Sequence, residues 1–251
     1  MKKLIAVLLG ALLLVSAVAC VTVTSETPES GEETDLGEAL EGLLGEVSGM
    51  IAGGWSCTED FTLTDDQKAI FEKATTELVG VNYTPIACLG TQVVAGTNYC
   101  FLAQGTVVYP GATPSYMLVY VYADLSGDAS VMNIADLPIV PNEDGTASVP
   151  PTEMLMGGWS YAEAYEITDE LSALVNKAIE GMAGAKYTPV AEVGTQVVAG
   201  RNHCILCQIT PVVPNPEPHY ALVYIYENLE GGAELLQTID LDVGALCTYG
   251  A

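Results

Sequence analysis

The sequence predicts an α+β protein made of one unit used twice, each unit a single helix packed on an antiparallel sheet of about five strands. Three observations lead there. The stretch TQVVAG stands at Thr91–Gly96 and recurs letter for letter at Thr195–Gly200. Around it, Gly53-Gly54-Trp55-Ser56 returns as Gly157-Gly158-Trp159-Ser160, Tyr83-Thr84-Pro85 as Tyr187-Thr188-Pro189, and Tyr120 as Tyr224, each pair 104 residues apart without a gap. Within each copy the apolar pattern changes once, from helical spacing to alternation.

The elements follow in order. GGWSCTEDFTL and GGWSYAEAYEI read as first strands. Thr64-Asp65-Asp66-Gln67 is a helix start, with Thr64 as cap and Gln67 at the capping-box position. The second copy keeps Thr168 but has Leu171 at the box position, so it keeps the cap without the box. Leu171, Leu174, Val175, Ala178, Ile179 and Met182 share one helical face, and Gly80 and Gly184 are stops. Ile86–Gln92, Asn98–Tyr109, Tyr116–Asp124 and Ser130–Asp136 then alternate as strands, which puts Gln92–Gly96 at a hairpin tip.

The chain of 251 residues divides further. Residues 1–19 read as a secretory signal peptide: Lys2 and Lys3, an apolar run from Leu4 to Val15, and the small-residue site Ala17-Val18-Ala19. Cys20 follows at once, and the sequence AVAC resembles a bacterial lipobox. That resemblance implies lipid attachment at Cys20 and an exported protein held at the cell surface; plain secretion with a free Cys20 is the alternative. Residues 20–48 form an acidic tether, 49–139 a first domain, 140–151 a Pro- and Gly-bearing linker, 152–243 a second domain and 244–251 a tail.

Charge excludes one class of partner. Seven Lys and Arg stand against thirty-two Asp and Glu, and two of the basic residues lie in the signal peptide. Such a surface repels phosphate backbones, so nucleic acid is not expected. It also avoids anionic headgroups, which leaves the lipid on Cys20 as the membrane tie.

Catalytic patterns are missing from the letters. The two histidines, His203 and His219, both fall in the second copy, and there is no Gly-rich phosphate loop, HExxH or GxSxG. The sequence reads as a non-enzyme without cofactor or metal. Cys204-Ile205-Leu206-Cys207 is a CxxC, but on a strand side chains three apart face opposite sides, so the thiols diverge. Cys88 and Cys100 sit symmetrically about Val94, where a regular hairpin sets them opposite each other. A cross-strand disulfide there is geometrically demanding, and Glu192 replaces Cys88 in the second copy, so a disulfide and free thiols both stay open.

One constellation remains. Met50-Ile51-Ala52-Gly53-Gly54, then Gln92-Val93-Val94-Ala95-Gly96, then Asp124-Leu125-Ser126-Gly127 resemble the cystatin family, and among its members the single-domain, disulfide-free stefins. The resemblance spans roughly 50–139 and 154–243. It implies two tandem cystatin-like domains that reversibly and non-covalently inhibit papain-like cysteine proteases, each plugging the cleft with an N-terminal trunk and two hairpins. In the first copy it assigns the trunk to Ile51, Ala52 and Gly53, the first hairpin to Gln92, Val93, Val94, Ala95 and Gly96, and the second to Leu125, Ser126 and Gly127. In the second copy it assigns Leu155, Met156 and Gly157, then Gln196, Val197, Val198, Ala199 and Gly200, then Leu229, Glu230 and Gly231. The family's second hairpin carries Pro, or Pro-Trp; Ser126 and Glu230 stand there instead. The rival reading is a non-inhibitory surface adhesion or peptide-binding module.

Overall fold

Unbroken apolar runs decide this fold. Tyr116 to Val121 are six consecutive buried residues, and so are Tyr220 to Ile225. Side chains alternate between the two faces of a strand, so such a run needs apolar cover on both sides of its sheet.

The computed structural model describes residues 54–151 and 156–247. The first copy contains β1 (Trp55–Cys57), α1 (Asp65–Thr75), β2 (Val81–Val94), β3 (Gly96–Val107), β4 (Ser115–Ala123) and β5 (Ala129–Asp136). The linker holds β6 (Val140–Pro141) and β7 (Ala147–Ser148). The second copy contains β8 (Trp159–Tyr161), α2 (Asp169–Ala178), β9 (Ala185–Val198), β10 (Gly200–Pro211), β11 (His219–Glu227) and β12 (Ala233–Leu241). The signal peptide, Cys20 and the tether lie outside the described residues, as do Ile51, Ala52, Gly53 and Leu155.

The strands form two five-stranded sheets, β1-β2-β3-β4-β5 and β12-β11-β10-β9-β8, and one two-stranded ribbon, β6-β7. Strands make up 49% and helices 11% of the structure. This overturns the α+β assignment and its pair of helix-on-sheet domains. The physical reason lies in the strand faces. Met117, Val119 and Val121 join Phe71 of α1 on one side of the first sheet. Tyr116, Leu118 and Tyr120 point the other way and meet Tyr220, Leu222 and Tyr224 of the second sheet in one shared core. Leu171, Leu174 and Val175 of α2 cover the remaining face, over Ile205, Val223 and Ile225. The two copies therefore belong to one compact unit with a sheet-on-sheet centre.

Contacts across that centre repeat at the same offset as the letters. Tyr116 Oη donates to Ala162 O at 3.1 Å, and the matching Tyr220 Oη lies 3.0 Å from Thr58 Oγ1. Gln208 adds a bond of 2.7 Å to Thr58 O. These groups are polar and largely buried, so each partner met across the centre removes a desolvation cost.

One pair breaks the symmetry. Tyr120 Oη donates to Val243 O at 2.7 Å. Its counterpart Tyr224 is equally buried, yet its hydroxyl meets no oxygen or nitrogen partner among the described residues; the Cys204 thiol, a weak acceptor, is its polar neighbour. Tyr120→Phe is expected to cost about 1–2 kcal/mol, while Tyr224→Phe stays within roughly 0.5 kcal/mol of wild type or gains stability. Urea midpoints of the two variants check this; equal losses would contradict it.

Local signals act as their chemistry dictates. Thr64 and Gln67 form the reciprocal capping box, at 3.2 and 3.0 Å, and Thr168 caps α2 through Leu171 N alone. The expected hairpin turns about Ala95 rather than Val94, since Val94 pairs with Gly96. An irregularity between Cys88 and Gly90 changes the register again, so Cys88 pairs with Phe101 and Cys100 with Gly90; a second, between Pro85 and Ala87, lies beyond Cys88. Cys88 thus lies on the α1 side and Cys100 in the shared core, and both are free thiols. Cys204 and Cys207 diverge in the same way.

Candidate functional site

The site residues are set by hairpin geometry. In each copy the long hairpin β2-β3 or β9-β10 ends in a minimal turn, with Val94 paired to Gly96 and Val198 to Gly200. Gly96 and Gly200 have φ of +126° and +125°, a region that side chains disfavour. A Cβ on Gly96 would also stand 2.3 Å from Ala123 O, and one on Gly200 2.2 Å from Glu227 O. Glycine is required because the neighbouring strand, leading to the second hairpin, passes directly over the turn.

That close passage joins the two hairpins. Tyr122 Oη donates to Ala95 O and Tyr226 Oη to Ala199 O, both at 2.6 Å. Beneath each tip, Asn98 Nδ2 donates to Gln92 Oε1 and Asn202 Nδ2 to Gln196 Oε1, both at 2.7 Å. Gln196 Nε2 also donates to Gly157 O at 2.8 Å, fastening the trunk beside the tip. These bonds make the two glutamines braces that hold the tips in place.

The second hairpins are tied from inside and from the helices. Asp124 Oδ1 accepts from Ser126 N, Ser126 Oγ and Asp128 N, which holds its carboxyl below the usual range, the Ser126 hydroxyl contributing most. Asn228 Oδ1 accepts from Glu230 N and Gly232 N in the other copy. Lys73, in the last turn of α1, donates to Gly127 O at 2.6 Å and pairs with Asp128 at 3.1 Å. Lys177 of α2 donates to Gly231 O at 2.8 Å.

Around these braces the side chains at the tips are bare. Val93, Val94, Val197 and Val198 are 40–69% exposed, Leu125 is 88% and Leu229 86% exposed, and Met156 is fully exposed. Ala95, Ala199, Ser126, Gly127, Glu230, Gly231 and Gly157 are exposed as well. Large apolar side chains held out on a braced frame form a surface that loses little order on docking. The first hairpin, the second hairpin and, in the second copy, the trunk residues Met156 and Gly157 are brought together; the first trunk and Leu155 lie outside the described residues.

Sequence reasoning missed the braces: Lys73, Asn98, Tyr122 and their counterparts Lys177, Asn202 and Tyr226. A signal was present, because each pair is identical at the offset of 104 residues. Below the tips the copies differ. His203 lies buried between Glu192, 2.6 Å from Nδ1, and Glu227, 3.2 Å from Nε2. The first copy has Tyr99 there, stacked on Phe101 at 5.7 Å.

The core cysteines are not available as nucleophiles. Burial pushes the Cys88 and Cys207 thiols up to about 12 and Cys100 and Cys204 higher still, so all four stay protonated and inert at neutral pH. Among the described residues no group of three or more His, Cys, Asp or Glu side chains is placed to hold a metal ion. Compared with known proteins, the chain matches no family model and no curated protein sequence.

Proposed function

We propose that this protein is a reversible, non-covalent inhibitor of papain-like cysteine proteases, exported and tethered through Cys20. One observation carries the reading: in both copies an exposed apolar first tip is bonded through a tyrosine of the strand that leads into the second hairpin, whose leucine is also exposed, on matching Lys, Asn and Tyr braces. The reading rests on these segments and their order in the chain, and does not require the domain arrangement that the sequence suggested.

The mechanism is occlusion. Val93-Val94-Ala95 enters the cleft beside the catalytic thiol, Leu125 presses on the far side, and the trunk fills the apolar subsites. The tip is held by its braces, and occlusion by its side chains requires no scissile bond. Standard protease–inhibitor interfaces bury roughly 1,600 Å² in total, which three such segments can supply. Apolar burial is the driving term, at about 25 cal/mol per Å² before the costs of association.

A second reading is favoured by Glu230, a charge at the tip of the second hairpin in the second copy. A non-inhibitory module would use the same tips to hold a peptide or another surface. Competitive inhibition of papain by the intact mature chain separates the two: the module leaves the enzyme's activity untouched.

A further inference from the structure

We propose that a groove between β1 and the end of β12, remote in sequence from the tips, binds a small phenol that carries an amino group. The groove measures about 390 Å3 and is lined by Trp55, Cys57, His219, Tyr220, Leu241 and Asp242, among others. That volume falls within the usual range for small-molecule sites, roughly 300–1,000 Å3.

The duplication supplies a template for what fits. At the offset of 104 residues, Cys57 corresponds to Tyr161, Tyr220 to Tyr116 and Leu241 to Leu137. In that other half Tyr161 occupies the place itself. Its ring meets Tyr116 edge-on, 5.9 Å between centroids at 66°, and its hydroxyl donates to Leu137 O at 2.9 Å. Cys57 ends at a thiol and lacks that ring. Tyr220 and Leu241, the counterparts of the two groups that hold the Tyr161 phenol, line the groove instead.

Four further lining positions differ: Val243 and Gly244 replace the bulkier Ile139 and Val140, and the other two changes are polar. Asp242 stands where the other half has Pro138, and His219 where it has Ser115. Burial and, after it, the Asp242 carboxylate push the Cys57 thiol up, consistent with that carboxylate facing the thiol. A carboxylate in the lining of the same groove favours a cationic group through charge. A phenol ring at the place of Tyr161 with an ammonium turned to Asp242 fits the lost ring at Cys57, the smaller Val243 and Gly244 and the added carboxylate, while His219 faces Asp240, 3.7 Å from its Nε2.

Calorimetric titration of the intact mature protein with tyramine tests this. Saturable one-site binding is expected, with phenethylamine, which lacks the hydroxyl, and p-cresol, which lacks the amine, each weaker by about tenfold. Cys57→Tyr returns the ring of the other half and is expected to abolish binding. Asp242→Asn keeps an oxygen for Gly244 N and Ala245 N, which Asp242 Oδ1 accepts at 2.8 and 3.0 Å. It should weaken tyramine by about 3–10-fold and leave p-cresol unchanged, a readout that survives even if Cys57→Tyr fails to fold. Absence of saturable binding at millimolar tyramine, or unchanged binding by folded Cys57→Tyr, would overturn the proposal. Binding that appears only in Tyr249→Ala would overturn it too, since the ring would then come from the chain's own terminus.

Discussion

Replacing Val94 and Val198 together by Asp is expected to weaken papain inhibition by at least about 100-fold. Each side chain stands at a tip, 41% and 40% exposed, so the free protein keeps a carboxylate there hydrated at little cost. Docked in an apolar cleft, the same carboxylate is stripped of water without a partner, which costs roughly 3–5 kcal/mol, or about two to four orders of magnitude in affinity. Inhibition constants of the double variant and of each single one check this, alongside urea midpoints that should match wild type. The single variants also rank the copies: if only Val94→Asp weakens inhibition, the first copy does the work. Retention of full inhibition by the folded double variant would mean that the tips are not the contact.

Leu118→Asp is expected to unfold both copies at once. Leu118 is fully buried in the core that the two sheets share, with Leu102 and Tyr120 from its own copy and Leu206, Leu222 and Tyr224 from the other. An unpaired carboxylate there costs at least about 4 kcal/mol, a large part of the stability of an ordinary domain. Each copy holds one tryptophan, Trp55 or Trp159, and each packs edge-on against a core tyrosine of its own copy, at 5.5 and 5.3 Å. Trp→Phe variants at one position or the other isolate the two fluorescence signals. A shared core predicts one transition, with Trp159 lost together with Trp55 in Leu118→Asp. Two self-sufficient domains would leave the Trp159 signal at its wild-type midpoint.

What the letters revealed depended on how local the cause was. The cap at Thr64 and the turn that ends at Gly96 follow from residues within a few positions of each other, and they were legible. The shared core was not. Tyr116 to Val121 fit an alternating strand on one face, yet every one of the six is buried, and an unbroken run of that kind marks a strand covered on both faces. Its second cover comes from a stretch about a hundred residues away, which no local period announces. The placement of Cys88 was missed for a similar reason: the turn is centred on Ala95 and one irregularity between Cys88 and Gly90 adds a shift, at which only Gly90 hints.

At the candidate site the tips were legible and their supports were not. The repeated QVVAG drew attention to itself, while Lys73, Asn98 and Tyr122 are single letters whose role appears only when strands and helix are assembled. Gln92 and Gln196 shift meaning on the same ground, from cleft contacts to braces. The exposure of Leu125 and Leu229 gives the second hairpins an apolar face without the proline expected there.

The most direct test of protease inhibition is a titration of papain activity with the chain from Val21 onward, which leaves out Cys20. Reversible, competitive loss of activity at sub-micromolar protein is expected, with the inhibitor recovered uncleaved. Full papain activity at a large excess of folded protein, repeated with several papain-like enzymes, would contradict it.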